Sequence, residues 1–253
     1  MNAAPRYQVR ALSRALNILR VLNGYKGLNA SELSRLVALP RPTVLRLLMT
    51  LDELGYVERS DGDGCFRVAT KVAELSRGYI EEPWLAIARP MLTELSQELV
   101  WPLALLRLRD NALIVEAVTD SHSKMLVRRQ APGTAIPLLS SSSGYLFLAL
   151  ADEAERQALL EQDGAESEAT LSRIDLNHDD VARLIDAARR NGFAELHLPT
   201  HSAISVPVRV SGDTVCALNM RMHALPESRQ AQLGSYVPML KDAARRLEKR
   251  LAS

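Results

Sequence analysis

Asn29 to Leu51, NASELSRLVALPRPTVLRLLMTL, is the stretch whose pattern sets the architecture of the first third of the chain. Asn29 followed three residues later by Glu32 has the spacing of a capping box, in which each residue's side chain accepts from the other's backbone N–H. Leu33, Leu36 and Val37 then supply the buried face of a short helix, and Ala38-Leu39-Pro40 makes a tight connection. Pro42 suits the first turn of a following helix, where its missing N–H has no helical partner to lose. In that helix Val44, Leu47, Leu48 and Leu51 form one face, leaving Thr43, Leu45, Arg46, Met49 and Thr50 on the other. Two short helices joined this way place the second in the major groove of a duplex.

The flanks complete the motif. Upstream, Ala15, Ile18, Leu19 and Leu22 recur at the spacing of an amphipathic helix that ends at Gly24 to Gly27. Downstream, Tyr56 to Arg59 reads as a strand, Asp61 to Gly64 as a turn and Phe66 to Val68 as the returning strand. The whole is a winged helix-turn-helix. Its outward chemistry suits a groove: Arg46 can pair with guanine or with phosphate, Thr43 can donate to phosphate, and Leu45 can meet a thymine methyl. Arg14, Arg41, Pro42, Thr43, Leu45, Arg46, Thr50 and Arg67 are the candidate DNA contacts. Charge agrees, with 12 Lys and Arg against 7 Asp and Glu through Ile80 but 19 against 23 thereafter, within a net charge of +1.

At 253 residues, 47% hydrophobic, the chain is long enough for two domains with cores of their own. The longest apolar stretch, Tyr145 to Ala151, falls well short of the roughly 18 residues of a membrane span, and Met1 to Arg10 has no secretory pattern, so a cytoplasmic protein is expected. Cys65 and Cys216 fall in different domains and read as unbridged thiols.

After the wing, Val72, Leu75 and Tyr79 predict a linker helix. The expected boundaries are 1–70 for the DNA-binding domain, 71–82 for the linker and 83–253 for the larger domain. Within the latter, a helix from about Trp84 to Leu99 contains Pro90, which implies a kink or a two-part helix. Leu103 to Leu108 and Ala112 to Val118 form a hairpin hinged at Asp110-Asn111, and a strand is expected at Met125 to Arg129. Helices follow at Ser143 to Ala151, Glu153 to Glu161 and, capped by Asn177, His178 to Asn191. Strands near Ala203 to Val210 and Thr214 to Met222, joined at Ser211-Gly212-Asp213, precede a last helix after Pro226. This order describes an α+β domain with an antiparallel sheet. His197 and His201 read as loop histidines, and neither a metal site nor a cofactor is expected.

These residues resemble the IclR family of bacterial regulators. The resemblance rests on Ser13-Arg14-Ala15-Leu16-Asn17-Ile18-Leu19, on Leu39 to Leu48, on Leu54-Gly55-Tyr56-Val57, and in the larger domain on Gly133, Pro137-Leu138, Ser140 to Gly144, Ala188 to Phe193 and Ile204 to Val208. Two positions depart from the family pattern, Ala38 standing for a usual Gly and Pro42 for a usual Ser. Phe66-Arg67, Lys71-Val72, Val100-Trp101-Pro102 and Pro137-Leu138-Leu139 are similar to regulators of hydroxyphenylpropionate degradation. The resemblance implies a GAF-like effector domain, a homodimer or tetramer on a palindromic operator, and no enzyme activity. It also implies an effector pocket lined by Leu138, Ser142, Ser143, Gly144, Ala203, Asn219 and Arg221, with Arg221 anchoring an organic acid, aromatic or otherwise. Read without it, Ser140 to Ser143 is an ordinary serine-rich helix cap. A cryptic hydrolase, with a nucleophile in that serine run, and a ligand-sensing adaptor that does not bind DNA are the alternatives. The salt dependence of binding to a random duplex separates both from a regulator.

Overall fold

The computed structural model describes residues 9–60, 62–77, 82–109, 112–120, 123, 125, 130–210, 213–224 and 229–252. The chain forms two compact units, Met1–Ile80 and Glu81–Ser253.

The first unit is built from α1 (Arg10–Leu22), α2 (Ala30–Leu36), α3 (Arg41–Glu53) and a hairpin of β1 (Val57–Arg59) with β2 (Phe66–Val68). Ile18 and Leu22 from α1, Leu33 from α2, Val44 and Leu48 from α3, and Phe66 from the wing bury together. The capping box closes as its spacing predicts: Asn29 Oδ1 accepts from the N–H groups of Ser31 and Glu32, and Asn29 N donates to Glu32 Oε2 at 2.8 Å. The connection to α3 turns at Ala38, whose φ is +50°, and Ser34 Oγ donates to the Leu39 carbonyl at 2.6 Å. After the wing the backbone forms a 3-10 helix, Thr70–Ser76, in place of the regular helix expected there. None of its residues is buried, so the apolar spacing of Val72 and Leu75 found no surface within this chain to hold an α-helix in place. Tyr79, with residues 78–81, lies outside the described residues.

The second unit begins with α4 (Pro83–Leu99), which continues through Pro90 as one helix, followed by the hairpin β3 (Leu103–Arg109) and β4 (Ala112–Val118). Then come β5 (Ala135–Ile136), α5 (Ser142–Leu150), α6 (Glu153–Ile174), α7 (His178–Asn191), β6 (Ala194–His197), β7 (His201–Val210), β8 (Asp213–His223) and α8 (Arg229–Leu251). Among the described residues the strands make one six-stranded sheet, ordered β5-β4-β3-β8-β7-β6, with every neighbouring pair antiparallel. This is the predicted α+β arrangement.

Helices cover both faces of the sheet. Leu92, Leu99, Leu240 and Leu247 of α4 and α8 pack on Leu103, Leu218 and Met220, while Tyr145, Leu146 and Ile185 of α5 and α7 pack on Leu106, Val115 and Ala217. Alternation along β8 therefore sends Leu218, Met220 and Met222 to one core and Ala217, Asn219 and Arg221 to the opposite side. Because that side is covered too, Asn219 and Arg221 are buried, at 3% and 5% exposure. Such groups require partners.

Three expectations change. The helix from Glu153 runs to Ile174 rather than stopping near Glu161, because buried Leu171 and Thr170 hold its far end. His197 and His201 lie at the facing ends of strands β6 and β7, paired through Leu196↔Ala203 and His197↔Ser202, not in a loop. Met125 lies in a bend, and the rest of the strand expected there, with the hinges Asp110-Asn111 and Ser211-Gly212, is outside the described residues.

Candidate functional site

In the first unit α3 presents Arg41, Pro42, Arg46 and Thr50 to solvent, with Thr43 and Leu45 half-buried. The first turn of α3 has few donors to offer. Pro42 has no N–H, and the N–H groups of Thr43 and Val44 both point to the Pro40 carbonyl, at 2.9 and 3.1 Å. Thr50 Oγ1 donates to the Arg46 carbonyl at 3.0 Å, a bond within its own helix. Arg14 is exposed on α1.

Arg67 is differently placed. Its Nε donates to the Lys26 carbonyl at 2.9 Å, and its two terminal nitrogens reach the Asp63 carboxylate, fastening the wing to the loop between α1 and α2. This guanidinium holds the Asp63 carboxyl well below the usual carboxylate range. Arg67 thus ties the wing to that loop while 35% of its side chain stays exposed. Two cations that the sequence reading passed over lie near α3, because Arg35 of α2 and Arg59 of β1 line one cleft with Arg41 and Leu45. Arg59 stacks over the Phe66 ring, its guanidinium carbon 5.8 Å from the ring centroid. Periodicity marks them only as exposed arginines; the hairpin brings them together.

In the second unit a cavity of about 560 Å³ opens between β5, the end of α6 and the strands β6 to β8. Leu106, Ile136, Ile174, Leu196 and Leu198 give it apolar walls. Of the residues expected at an effector site, Ala203, Asn219 and Arg221 line it. Ser142, Ser143, Gly144 and Leu138 do not: they form the packing behind the wall. Asn219 Nδ2 donates to Ser142 Oγ at 3.0 Å and Ser205 Oγ at 2.9 Å, and Ser205 Oγ lies 2.8 and 2.9 Å from the hydroxyls of Ser142 and Ser143. This closed network fixes the Asn219 amide.

The start of α5 is an ordinary cap. Ser141 Oγ accepts from Ser143 N, and the Ser141 carbonyl accepts from Gly144 N and Tyr145 N. Three N–H groups at this helix start, of Ser143, Gly144 and Tyr145, are thus taken up within the chain. Gly144 is needed for a steric reason, since a Cβ there would fall 1.8 Å from the Leu138 carbonyl oxygen. Tyr145, fully buried, donates to the Leu139 carbonyl at 2.7 Å, and burial raises its phenol above the usual range. The serine run reaches the cavity two residues earlier than predicted, through Ser140 and Ser141.

Further lining residues carry polar chemistry that no sequence motif marks. Gln130, Thr170, Arg173 and His201 face the same space. Arg173 donates to Thr170 Oγ1 at 3.0 Å. Nearby His197 bonds Ser202 Oγ through Nδ1 and Glu195 Oε2 through Nε2, the side-chain network of a strand edge.

Residues 11–61 match the family model of the IclR helix-turn-helix domain, and residues 82–249 match that of the bacterial transcriptional regulator IclR C-terminal region. The chain is similar to the transcriptional repressor IclR of Escherichia coli K12, at 31% identity over 74% of this chain and 69% of that protein. It is also similar to the Pca regulon regulatory protein of Pseudomonas putida, at 27% identity over 94% of this chain and 82% of that one. In fold it is similar to the crystal structure of an IclR homolog from Microbacterium hydrocarbonoxydans complexed with 4-hydroxybenzoate, with a TM-score of 0.61 at 24% identity, covering 95% of this chain and 98% of the other. The Thermotoga maritima IclR structure gives 0.65 at 18% identity, covering 97% and 100%.

Proposed function

We propose, from the premise that this chain belongs to the IclR family of bacterial transcriptional regulators, that it reads a palindromic operator as a homodimer or tetramer and answers to an organic acid, aromatic by preference. The family accounts for the coarse activity: a DNA-binding regulator with an N-terminal helix-turn-helix and a C-terminal effector-binding domain, and not an enzyme. That sets aside the hydrolase and adaptor readings.

The observation that carries the finer reading is a buried guanidinium, Arg221, in the wall of an otherwise largely apolar cavity beside the fixed amide of Asn219. A flat acid with one carboxylate fits such a wall, its ring on the leucines and its charge toward Arg221. A distant relative holds 4-hydroxybenzoate, and the likeness to MhpR-type regulators of hydroxyphenylpropionate degradation points to the same class of phenolic acid. On the DNA side, Arg46 reads base edges while Arg14, Arg41 and Thr43 hold phosphate, with Pro42, Leu45 and Thr50 in apolar contact. We assign 1–70 to the DNA-binding domain, 71–82 to the linker and 83–253 to the effector domain, acting in the cytoplasm. No helix among the described residues is long and apolar enough to cross a membrane.

A thermal-shift screen with 4-hydroxybenzoate and hydroxyphenylpropionate tests the cavity, because a ligand that binds the native state raises its melting temperature by mass action. Calorimetry of Arg221→Ala should find no binding. Retained affinity in that variant would remove Arg221 as the anchor.

A further inference from the structure

Arg221 already has an anion. Its guanidinium pairs with the carboxylate of Asp120, and the two side chains are only 6% and 5% exposed. The other oxygen of Asp120 accepts from the backbone N–H of Gln130 at 2.7 Å, and Gln130 lines the cavity with Arg221. One carboxylate thus ties β8 to Gln130 in the cavity lining.

We propose that Asp120 is a built-in competitor for the effector's carboxylate, a stand-in that occupies Arg221 until an acid displaces it. The inference rests on reading the cavity as an acid site. Two carboxylates facing one buried guanidinium each raise the cost of ionising the other, so Asp120 weakens an anionic ligand and leaves a neutral one of the same shape unaffected. Neutralising Asp120 removes that competing charge, so an incoming carboxylate meets the Arg221 guanidinium at lower cost. Because Asp120 also fastens Gln130, an acid that takes over Arg221 changes how β8 is tied to Gln130. Occupancy is thereby coupled to the shape of the domain.

The test is calorimetry on the full chain with 4-hydroxybenzoate and its neutral counterpart 4-hydroxybenzamide, comparing wild type, Asp120→Asn and the double variant Asp120→Asn/Arg221→Gln. Asp120→Asn should bind the benzoate roughly tenfold or more tightly than wild type, with the amide little changed. The double variant, which buries neither charge, should lose the preference for acid over amide. If wild type binds the benzoate but Asp120→Asn binds it no better, the competitor is overturned while the acid site stands. A double variant that keeps the wild-type preference overturns it equally, and it reads out even if the single variant folds poorly. Failure of the benzoate to bind either wild type or Asp120→Asn overturns both the competitor and the acid site beneath it.

Discussion

At Ala38 the turn between α2 and α3 takes a φ of +50°, a region where a Cβ crowds the following carbonyl. A glycine avoids that cost, so the turn bears strain that a glycine would not. Replacing Ala38 by Gly should stabilise the N-terminal unit by roughly 0.5 to 1 kcal/mol, the relief of a left-handed alanine offset by the greater freedom of glycine when unfolded. Denaturant unfolding would read this as a higher midpoint at unchanged slope, and a lower midpoint would show that the turn tolerates its alanine. Buried groups show the same dependence on surroundings. Cys216 is fully enclosed and its thiol is pushed up to about 12 by burial, whereas Cys65 stays half-exposed, and neither is bridged.

Among the elements, the β3–β4 hairpin of the larger sheet is held to the start of α4 by charge. Glu82, just before α4, meets Arg107 and Arg109 of β3, and both arginines also reach Glu116 of β4. The Arg107 hydrogen bond, helped by the Trp84 indole N–H, holds the Glu82 carboxyl below its ordinary value. A depressed folded-state value means that the contribution is present above the unfolded glutamate value, about 4.3, and is lost as pH falls from there through the lower folded value. Glu82 is more than a third exposed, so the effect is small. We expect Glu82→Gln to lower the melting temperature of the larger unit by about 1 to 3 °C near neutrality, the gap closing as pH falls from about 5 to about 3. Scanning calorimetry across that range decides it; a gap that widens toward acid would give the network the opposite sign. The wing depends on a similar device, Arg67 with Asp63 and the Lys26 carbonyl, and α2 on its capping box.

At the scale of the whole molecule, a DNA-binding regulator needs a surface that attracts phosphates. The basic excess through Ile80 and the exposed Arg14, Arg41 and Arg46 predict a steep fall of log affinity with log salt on a random duplex. Arg46→Ala should cost about 1 to 3 kcal/mol on the specific operator, whereas Arg14→Ala should weaken all duplexes alike and reduce the salt slope by about one. Fluorescence anisotropy at several salt concentrations separates the two roles. Equal losses on specific and random DNA from Arg46→Ala would assign it to the phosphates instead.

The sequence by itself determined what local chemistry can determine: the helices and their caps at Asn29 and Asn177, the hairpins, the alternation of β8 and the outward face of α3. These follow from spacing and capping, which act over a few residues. Tertiary structure decided which of those faces are covered and what meets across the chain. Only the six-stranded sheet, packed on both sides, turns Asn219 and Arg221 from plausible surface residues into buried ones, moves the cavity from Ser142–Gly144 to Ser140 and Ser141, and brings Asp120 to Arg221. Only the folded wing shows that Arg67 is tied to Asp63 and to the Lys26 carbonyl. A buried charge is tolerated only where the fold supplies its partner, and no local pattern in the sequence identifies a partner a hundred residues away.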